Sequence, residues 1–240
     1  MTRKHGKKYL DALKKIDATR LYEPREAIAL VKETSYTRFD STVEVHLRLG
    51  IDPRHADQTI RSTVVLPHGT GKQVRVLVFA QGDAAQAARD VGANFVGADE
   101  LIAQIDRENF FDFDIAIATP DMMGKVGRIG RKLGPRGLMP NPRSGTIVTP
   151  DALARTIVEV RGGRVEFRND RTGLLHVGVA KVSFSEAQIY ENITALMDAV
   201  KAVRPAAAKG SYVRSVTFTS TMAPAVRVDP ATAQTMGGAA

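Results

Sequence analysis

Apolar residues change period several times along the chain, and each change marks an element. Tyr9, Leu10, Leu13 and Ile16 recur at helical spacing, and Glu23-Pro24 announces a second helix with Ile28 and Val31 on one face. From Thr42 to Leu49 the period drops to two. Val43, Val45, Leu47 and Leu49 fall on one side, and Thr42, Glu44, His46 and Arg48 on the other, which predicts a half-buried strand with a polar face. A second strand over about residues 60–66 runs into Pro67-His68-Gly69-Thr70-Gly71, a flexible exit.

The rhythm then changes. An apolar run from Val74 to Ala80 is followed by an Ala-rich helical stretch to Val91, the short Phe95-Val96, a helix near Leu101 and the run Ile115-Ala116-Ile117-Ala118. Strands alternating with helices predict a parallel, three-layer α/β unit. Thr119-Pro120-Asp121 and Thr149-Pro150-Asp151 each read as a cap followed by Pro at the first helical position, and the second of these helices runs out at Arg161-Gly162-Gly163.

Beyond that joint the alternating style returns. Residues 164–168 and 174–184 read as a hairpin around Asn169-Asp170-Arg171-Thr172-Gly173. Ser185 and Gln188 fit a capping box, after which Ile189, Ile193, Leu196, Val200 and Val203 line a helix face that stops at Pro205. Residues 212–221 predict a last strand, and the small, uncharged tail 230–240 reads as disordered. The economical organisation is a discontinuous α+β outer lobe, residues 1–69 with 162–240, interrupted by an inserted α/β lobe over 70–161. Gly69, Gly71, Gly162 and Gly163 at the two crossings read as a hinge.

Charge adds a partner class. There are 34 basic and 26 acidic residues, a net charge of +8 and a pI near 9.8, which favours an anionic partner such as nucleic acid or an acidic membrane surface. By residue count the outer lobe carries +7 and the insert +1, so the outer lobe is the better candidate for the principal anion-binding surface. Charge-free stretches reach only about a dozen residues, short of the ~20 that a spanning helix needs, and the basic start has no apolar run of export-signal length. A soluble protein with no membrane partner is expected. Zero Cys excludes disulfides, thiol nucleophiles and Cys-ligated zinc, and is compatible with a reducing cytoplasm.

The motifs of catalysis are incomplete. His68-Gly69-Thr70-Gly71-Lys72 suggests a phosphate-binding loop, but the motif's first glycine would be Leu66, its final Ser or Thr is Gln73, and a strand follows where a helix is required. Phe79-Ala80-Gln81-Gly82-Asp83 has one glycine where a dinucleotide fingerprint needs three. His5, His46, His55, His68 and His176 show no metal-ligand spacing, and no nucleophile elbow is present. Glu44 or His46 as a general base would need a pocket that the sequence does not show. No catalytic residue, cofactor or metal is expected, and the chain does not read as an enzyme.

One stretch stands out by charge. Residues 124–148, GKVGRIGRKLGPRGLMPNPRSGTIV, hold Lys or Arg at six positions, Gly at six, Pro at three and no carboxylate. Read alone it is a cationic loop, attractive to a polyanion through counterion release or merely solvated. The run from Lys132 to Pro142, KLGPRGLMPNP, continuing to Gly145-Thr146-Ile147-Val148, resembles the signature of the bacterial large-subunit ribosomal protein L-one family. The likeness extends through Phe39-Asp40-Ser41-Thr42-Val43-Glu44-Val45, Leu66-Pro67-His68-Gly69-Thr70-Gly71-Lys72, Phe167-Arg168-Asn169-Asp170 and Ser220-Thr221-Met222. Only about the last dozen residues fall outside it.

The resemblance implies a two-layer α+β lobe, a split β-α-β arrangement with an antiparallel sheet, and an inserted Rossmann-like lobe. It implies a cytoplasmic ribosomal protein, monomeric when free and part of the 50S subunit. Such a protein binds 23S rRNA at the mobile stalk, helps release exit-site tRNA and represses its own mRNA. RNA contacts carry over to Phe39, Thr42 and Glu44, to Arg168, Asp170, Arg171 and Thr172, and to Ser220, Thr221 and Met222. Arginines would position phosphates, Phe39 and Met222 would meet sugars or bases, and hydroxyls and carboxylates would reach 2′-OH groups. Lys125, Arg128, Arg131, Lys132, Arg136 and Arg143 form a secondary basic segment facing RNA. One departure is Ala223, where the family usually has Gly; a positive φ there would cost Ala roughly 1 kcal/mol. The competing readings are an α/β enzyme acting on a phosphorylated small molecule and a nonspecific basic nucleic-acid binder. With five Tyr, nine Phe and no Trp, a single-strand stacking platform is disfavoured against folded RNA read by shape.

Overall fold

The computed structural model describes residues 5–237. In chain order it contains α1 (Lys7–Leu13), α2 (Pro24–Thr34), β1 (Thr42–Leu49), β2 (Arg61–Val65), β3 (Val76–Phe79), α3 (Gly82–Asp90), β4 (Phe95–Gly97), α4 (Asp99–Glu108) and β5 (Ile115–Ala118). The short α5 (Met123–Val126) and α6 (Gly130–Leu133) follow, then α7 (Pro150–Gly162), β6 (Arg164–Arg168), β7 (Leu174–Lys181), α8 (Glu186–Ala202), β8 (Val213–Ser220), β9 (Val226–Val228) and α9 (Pro230–Thr235). The chain divides into a discontinuous unit, up to Gly71 and again from Val165, and an inserted unit over residues 72–164.

The discontinuous unit is built on an antiparallel sheet of order β7-β1-β8-β9. The alternation of β1 is realised: Val43, Val45, Leu47 and Leu49 are at most 2% exposed and share one core with Ala27, Ile28 and Val31 of α2 and Ile189, Ile193, Leu196 and Val200 of α8. Burying each such side chain contributes about 1.5–3 kcal/mol, and a one-residue slip would turn all four to solvent, so the register is strongly specified. Helix α8 opens on the expected capping box, with Gln188 N–H donating to Ser185 Oγ at 3.2 Å and Ser185 N–H to Gln188 Oε1 at 3.0 Å.

Two expectations are corrected here and one strand is added. Residues 164–168 do not form a hairpin with the following strand, because β6 pairs with β2 in a separate two-stranded sheet while β7 pairs with β1. Asn169 directs this: Ile60 N–H donates to its Oδ1 at 2.6 Å and its own N–H donates to Ile60 O at 3.2 Å, so only an Asn169–Leu175 bridge joins the two strands at the tip. Strand β9, which the sequence reading passed over, pairs with β8 and bridges Tyr22. The tail is ordered through residues 230–235, since Asp229 Oδ1 caps α9 by accepting from Ala231 N–H at 3.0 Å and Ala233 is fully buried in the core. Residues 238–240 of the tail lie outside the described part.

The inserted unit holds a parallel sheet of order β4-β3-β5, extended by a parallel bridge from Ala118 to Ile147. Strand β3 is buried on both faces, which splits its side chains between two cores. Leu77 and Phe79 join Ile105 of α4, Val126, Ile129 and Leu133, while Val76 and Val78 join Ala85 and Ala88 of α3 and Leu153, Ile157 and Val160 of α7. Three layers follow from that division. Thr119 and Thr149 occupy the expected N-cap positions with Pro next, although neither side chain makes a capping bond and the first opens only a 3-10 turn.

The basic stretch is not an open loop. It winds through α5, α6 and intervening 3-10 turns, with Met122, Val126, Ile129 and Leu133 seated in the core. Gly127, Gly130 and Gly134 have right-handed helical angles, so their N–H groups lie within helical turns. At the crossings, His68 N–H donates to Asn192 Oδ1 at 3.0 Å and Asn192 Nδ2 donates to Gly69 O at 2.9 Å, which ties that loop to α8. Gly71 has φ +72°, and a Cβ there would lie 2.7 Å from Lys181 Cγ, so any other residue would be strained and would have to displace that side chain. Gly162 ends α7 and Gly163, at φ +114°, caps it.

Candidate nucleic-acid interface

Helices cover one face of the four-stranded sheet, and the opposite face is polar. There β1 presents Thr42, Glu44, His46 and Arg48; β8 sets Thr219, Thr217 and Ser215 against the last three, and β7 sets His176 against His46. Residues near both ends of this face are those that the family likeness singled out.

At one end, Ala223 N–H donates to Ser220 O at 2.9 Å and closes a turn whose third residue, Met222, has φ +71°. The positive φ of this turn thus belongs to Met222, and the methyl of Ala223 carries no left-handed strain. A non-glycine residue in this conformation costs roughly 1 kcal/mol. Neighbouring groups hold it: Tyr36 Oη donates to Met222 O at 2.6 Å, Thr221 N–H donates to Thr42 O at 3.0 Å, and Thr42 N–H donates to Thr221 Oγ1 at 3.1 Å. Met222 is left 68% exposed, and Phe39, three residues after Tyr36, is 59% exposed. Apolar side chains this open beside hydrogen-bonded hydroxyls suit contact with sugars or bases.

At the other end, the register sets Arg48 against Leu174 while Thr42 opposes Lys181, so the 169–173 tip stands about 20 Å from Thr42 at ~3.3 Å per residue. Asp170 organises this tip. It accepts from Leu174 N–H, Thr172 N–H and Thr172 Oγ1, at 2.8, 2.8 and 2.7 Å. These bonds, with the Leu174 N–H foremost, hold its carboxyl below the usual aspartate value. Arg168 and Arg171 remain exposed and form no ion pair among the described residues. Asp170 thus shapes the loop that displays them.

Between the two ends runs a line of polar groups. Glu44 Oε2 lies 3.6 Å from His46 Nε2, His46 Nδ1 lies 2.8 Å from His176 Nδ1, and His176 Nε2 lies 3.9 Å from Asp170 Oδ2. Burial pushes the pKa of His46 down, His176 adds to this, and Glu44 opposes it. The sequence could not show this pair, because 130 residues separate the two histidines and only the β1–β7 register joins them. Tyr36, Thr217 and Thr219 were missed for the same reason. Ser220 is a correction in the other direction: it is 1% exposed on the core side of β8, since alternation turns Thr219 and not Ser220 to the open face.

The six cations of the insert separate into two groups. Lys125 pairs with Asp99 at 2.7 Å, Lys132 pairs with Asp106 at 3.1 Å, and Arg136 stacks on Phe111 at 3.7 Å from the ring centroid. Arg128, Arg131 and Arg143 are exposed and unpaired among the described residues. No helix of the described residues is long and apolar enough to cross a membrane, and no cluster of three or more His, Cys, Asp or Glu among them could hold a metal.

Comparison with known proteins gives the family. Residues 31–224 match the Ribosomal protein L1p/L10e family, a span that takes in the open sheet face, the tip, the Met222 turn and the whole insert. A protein of Chloroflexus aurantiacus named large ribosomal subunit protein uL1 is 75% identical over 233 residues, covering 97% of this chain and 98% of its own length. A protein of the same name from Chloroflexus aggregans is 74% identical over 226 residues, covering 94% and 95%. With most of its length matched and relatives this similar end to end, the chain belongs to the Ribosomal protein L1p/L10e family.

Proposed function

We propose that this chain is a structural constituent of the large ribosomal subunit in the cytoplasm, and that the open face of its discontinuous unit holds the stalk region of 23S rRNA. The observation that carries this reading is the placement of three sequence-distant segments on or beside one sheet face: residues 36–44, the 168–172 tip and the Thr221–Met222 turn. Phosphates meet Arg168 and Arg171, hydroxyls and Glu44 meet 2′-OH groups, and Phe39 and Met222 meet apolar sugar or base surface. The work is binding and not catalysis. Filter binding to the 23S stalk fragment against a scrambled RNA of equal length tests it. A large preference for the stalk is expected, and equal affinity for both would reduce the protein to a nonspecific basic binder.

A stalk-like structure in the chain's own mRNA would occupy the same face, which is how repression of its synthesis would work. The exposed arginines 128, 131 and 143 support a second, weaker role for the insert in touching exit-site tRNA. Gly69, Gly71, Gly162 and Gly163 would serve as the hinge for that role. Gly162 is helical with open space around it, so Gly162→Ala should stiffen its crossing without strain. Spin labels on the two units should then report a narrower distance distribution.

A further inference from the structure

His46 and His176 stand directly opposite each other on the open face, with ring centroids 4.9 Å apart and Nδ1 atoms 2.8 Å apart. That contact needs one proton between the two nitrogens, so one ring donates and the other accepts. A neutral accepting ring carries its own proton on Nε2. The donating ring has a proton on Nε2 only when it is an imidazolium. Both Nε2 atoms face carboxylates, Glu44 at 3.6 Å and Asp170 at 3.9 Å. The arrangement is therefore complete with three protons on four ring nitrogens, a pair of net charge +1. With two protons, one Nε2 lone pair points at a carboxylate; with four, the contact between the rings is lost.

The surroundings leave room for an anion to bias this balance. On β1 the neighbours are Glu44 and, farther along, Arg48; on the tip and β7 they are Asp170 and His176, with Gly178 opposite Glu44. From β8 come the hydroxyls of Ser215, of Thr217, opposite His46, and of Thr219, from β9 the cation Arg227, opposite Thr217, and from the tip the cations Arg168 and Arg171. The pair lies between the Met222 turn and the arginines of the tip, nearer the tip, so RNA spanning both ends passes over it.

We propose that His46 and His176 are RNA-contacting residues, a proton-sharing pair whose charged form is selected by a backbone phosphate of the bound RNA. This rests on the reading that the face holds RNA. A phosphate over the rings raises their affinity for a proton, which is taken from solvent on binding. The complex then holds more protons than the free protein. Affinity therefore rises as pH falls toward and through the ordinary imidazole value of 6.5, and the gain disappears as pH rises above the midpoint in the complex.

The test is filter binding of the full chain to the 23S stalk fragment from about pH 5.5 to 8 at fixed ionic strength, with wild type, His46→Gln and His176→Gln. The wild type should tighten several-fold from about pH 7.5 to 6, with a limit of about tenfold for each unit by which RNA raises the pair's proton affinity. Both variants should show only the shallow dependence that the RNA itself contributes. The same slope in all three proteins overturns the proposal and leaves the reading of the face intact. Loss of preference for the stalk over scrambled RNA at every pH overturns that reading, and the proposal with it. Calorimetry of the wild type in two buffers of different ionisation heat needs no variant, and zero proton uptake near pH 6.5 overturns the proposal as well.

Discussion

Between residues 122 and 148 the inserted unit carries six Lys and Arg and no carboxylate, yet half of that charge is engaged within the unit, on Asp99, on Asp106 and over Phe111. The open sheet face of the discontinuous unit has its cations spread singly over several segments. It offers Arg168 and Arg171 at its tip with Arg48 on β1 and Arg227 on β9, a line of Glu and His, hydroxyls on three segments, and two exposed apolar side chains at the far end. Density of positive charge along a sequence is thus a poor guide to which cations a fold leaves open to a ligand. Half of the insert's cations help to anchor its helical turns, whereas the groups of the sheet face are fixed in position by one another and remain open to a ligand. Phosphate contacts position an RNA, and the fixed pattern of donors, acceptors and apolar surface discriminates its shape.

The largest expected effect that bears on this contrast comes from Thr221→Val. It removes the oxygen that accepts from Thr42 N–H, so stalk RNA binding should weaken by about 1–3 kcal/mol in filter assays with the salt slope unchanged. Wild-type affinity in a folded variant would show that the Met222 end is ordinary strand. Next is the double change Arg168→Gln with Arg171→Gln, which should lower the log–log salt slope by about two, near 0.9 per phosphate contact. The triple change of Arg128, Arg131 and Arg143 to Gln should leave stalk affinity within about twofold. A larger loss from the triple change than from the double would reverse the comparison.

Met222→Gly should separate stability from binding. Relief of the φ of +71° should raise unfolding free energy by about 1 kcal/mol in denaturant titration, while loss of the exposed side chain weakens stalk binding. A variant that gains stability and keeps full affinity would remove Met222 from the interface.

The smallest effect on RNA is expected from Asp114→Asn in the insert. Lys72 above all, and then Arg75, hold the Asp114 carboxyl at about 2, well below the usual 3.8. A depressed carboxylate pKa stabilises the fold above its unfolded value, and that contribution is lost as pH falls toward about 2. The melting-temperature gap between wild type and Asp114→Asn should therefore close between about pH 4 and 2, with stalk binding at neutral pH unaltered.

Much of the fold was legible because its signals are local. The alternation of 42–49, the Ser185–Gln188 box and the all-apolar run in β3 each determine an element without reference to the rest of the chain. Pairing was less legible. Nothing near residues 164–168 says that Asn169 will bind Ile60 and draw the strand to β2. The helical turns of 122–133 do have a sequence signal, since Met122, Val126, Ile129 and Leu133 recur at helical spacing; interspersed glycines obscured it. The ends of the site could be read from the family likeness. Its middle could not, because His46 and His176 meet only through strand register, and alternation turns Ser220, which the likeness includes, into the core.

Hydrogen–deuterium exchange of the full chain with and without the 23S stalk fragment tests the central claim most directly, with scrambled RNA as the control. Amides of residues 36–42, 169–173 and 221–223 should gain protection with stalk RNA and not with scrambled RNA, while residues 124–148 change little. Stalk-specific protection confined to 124–148, with the sheet-face loops unchanged, would contradict the account.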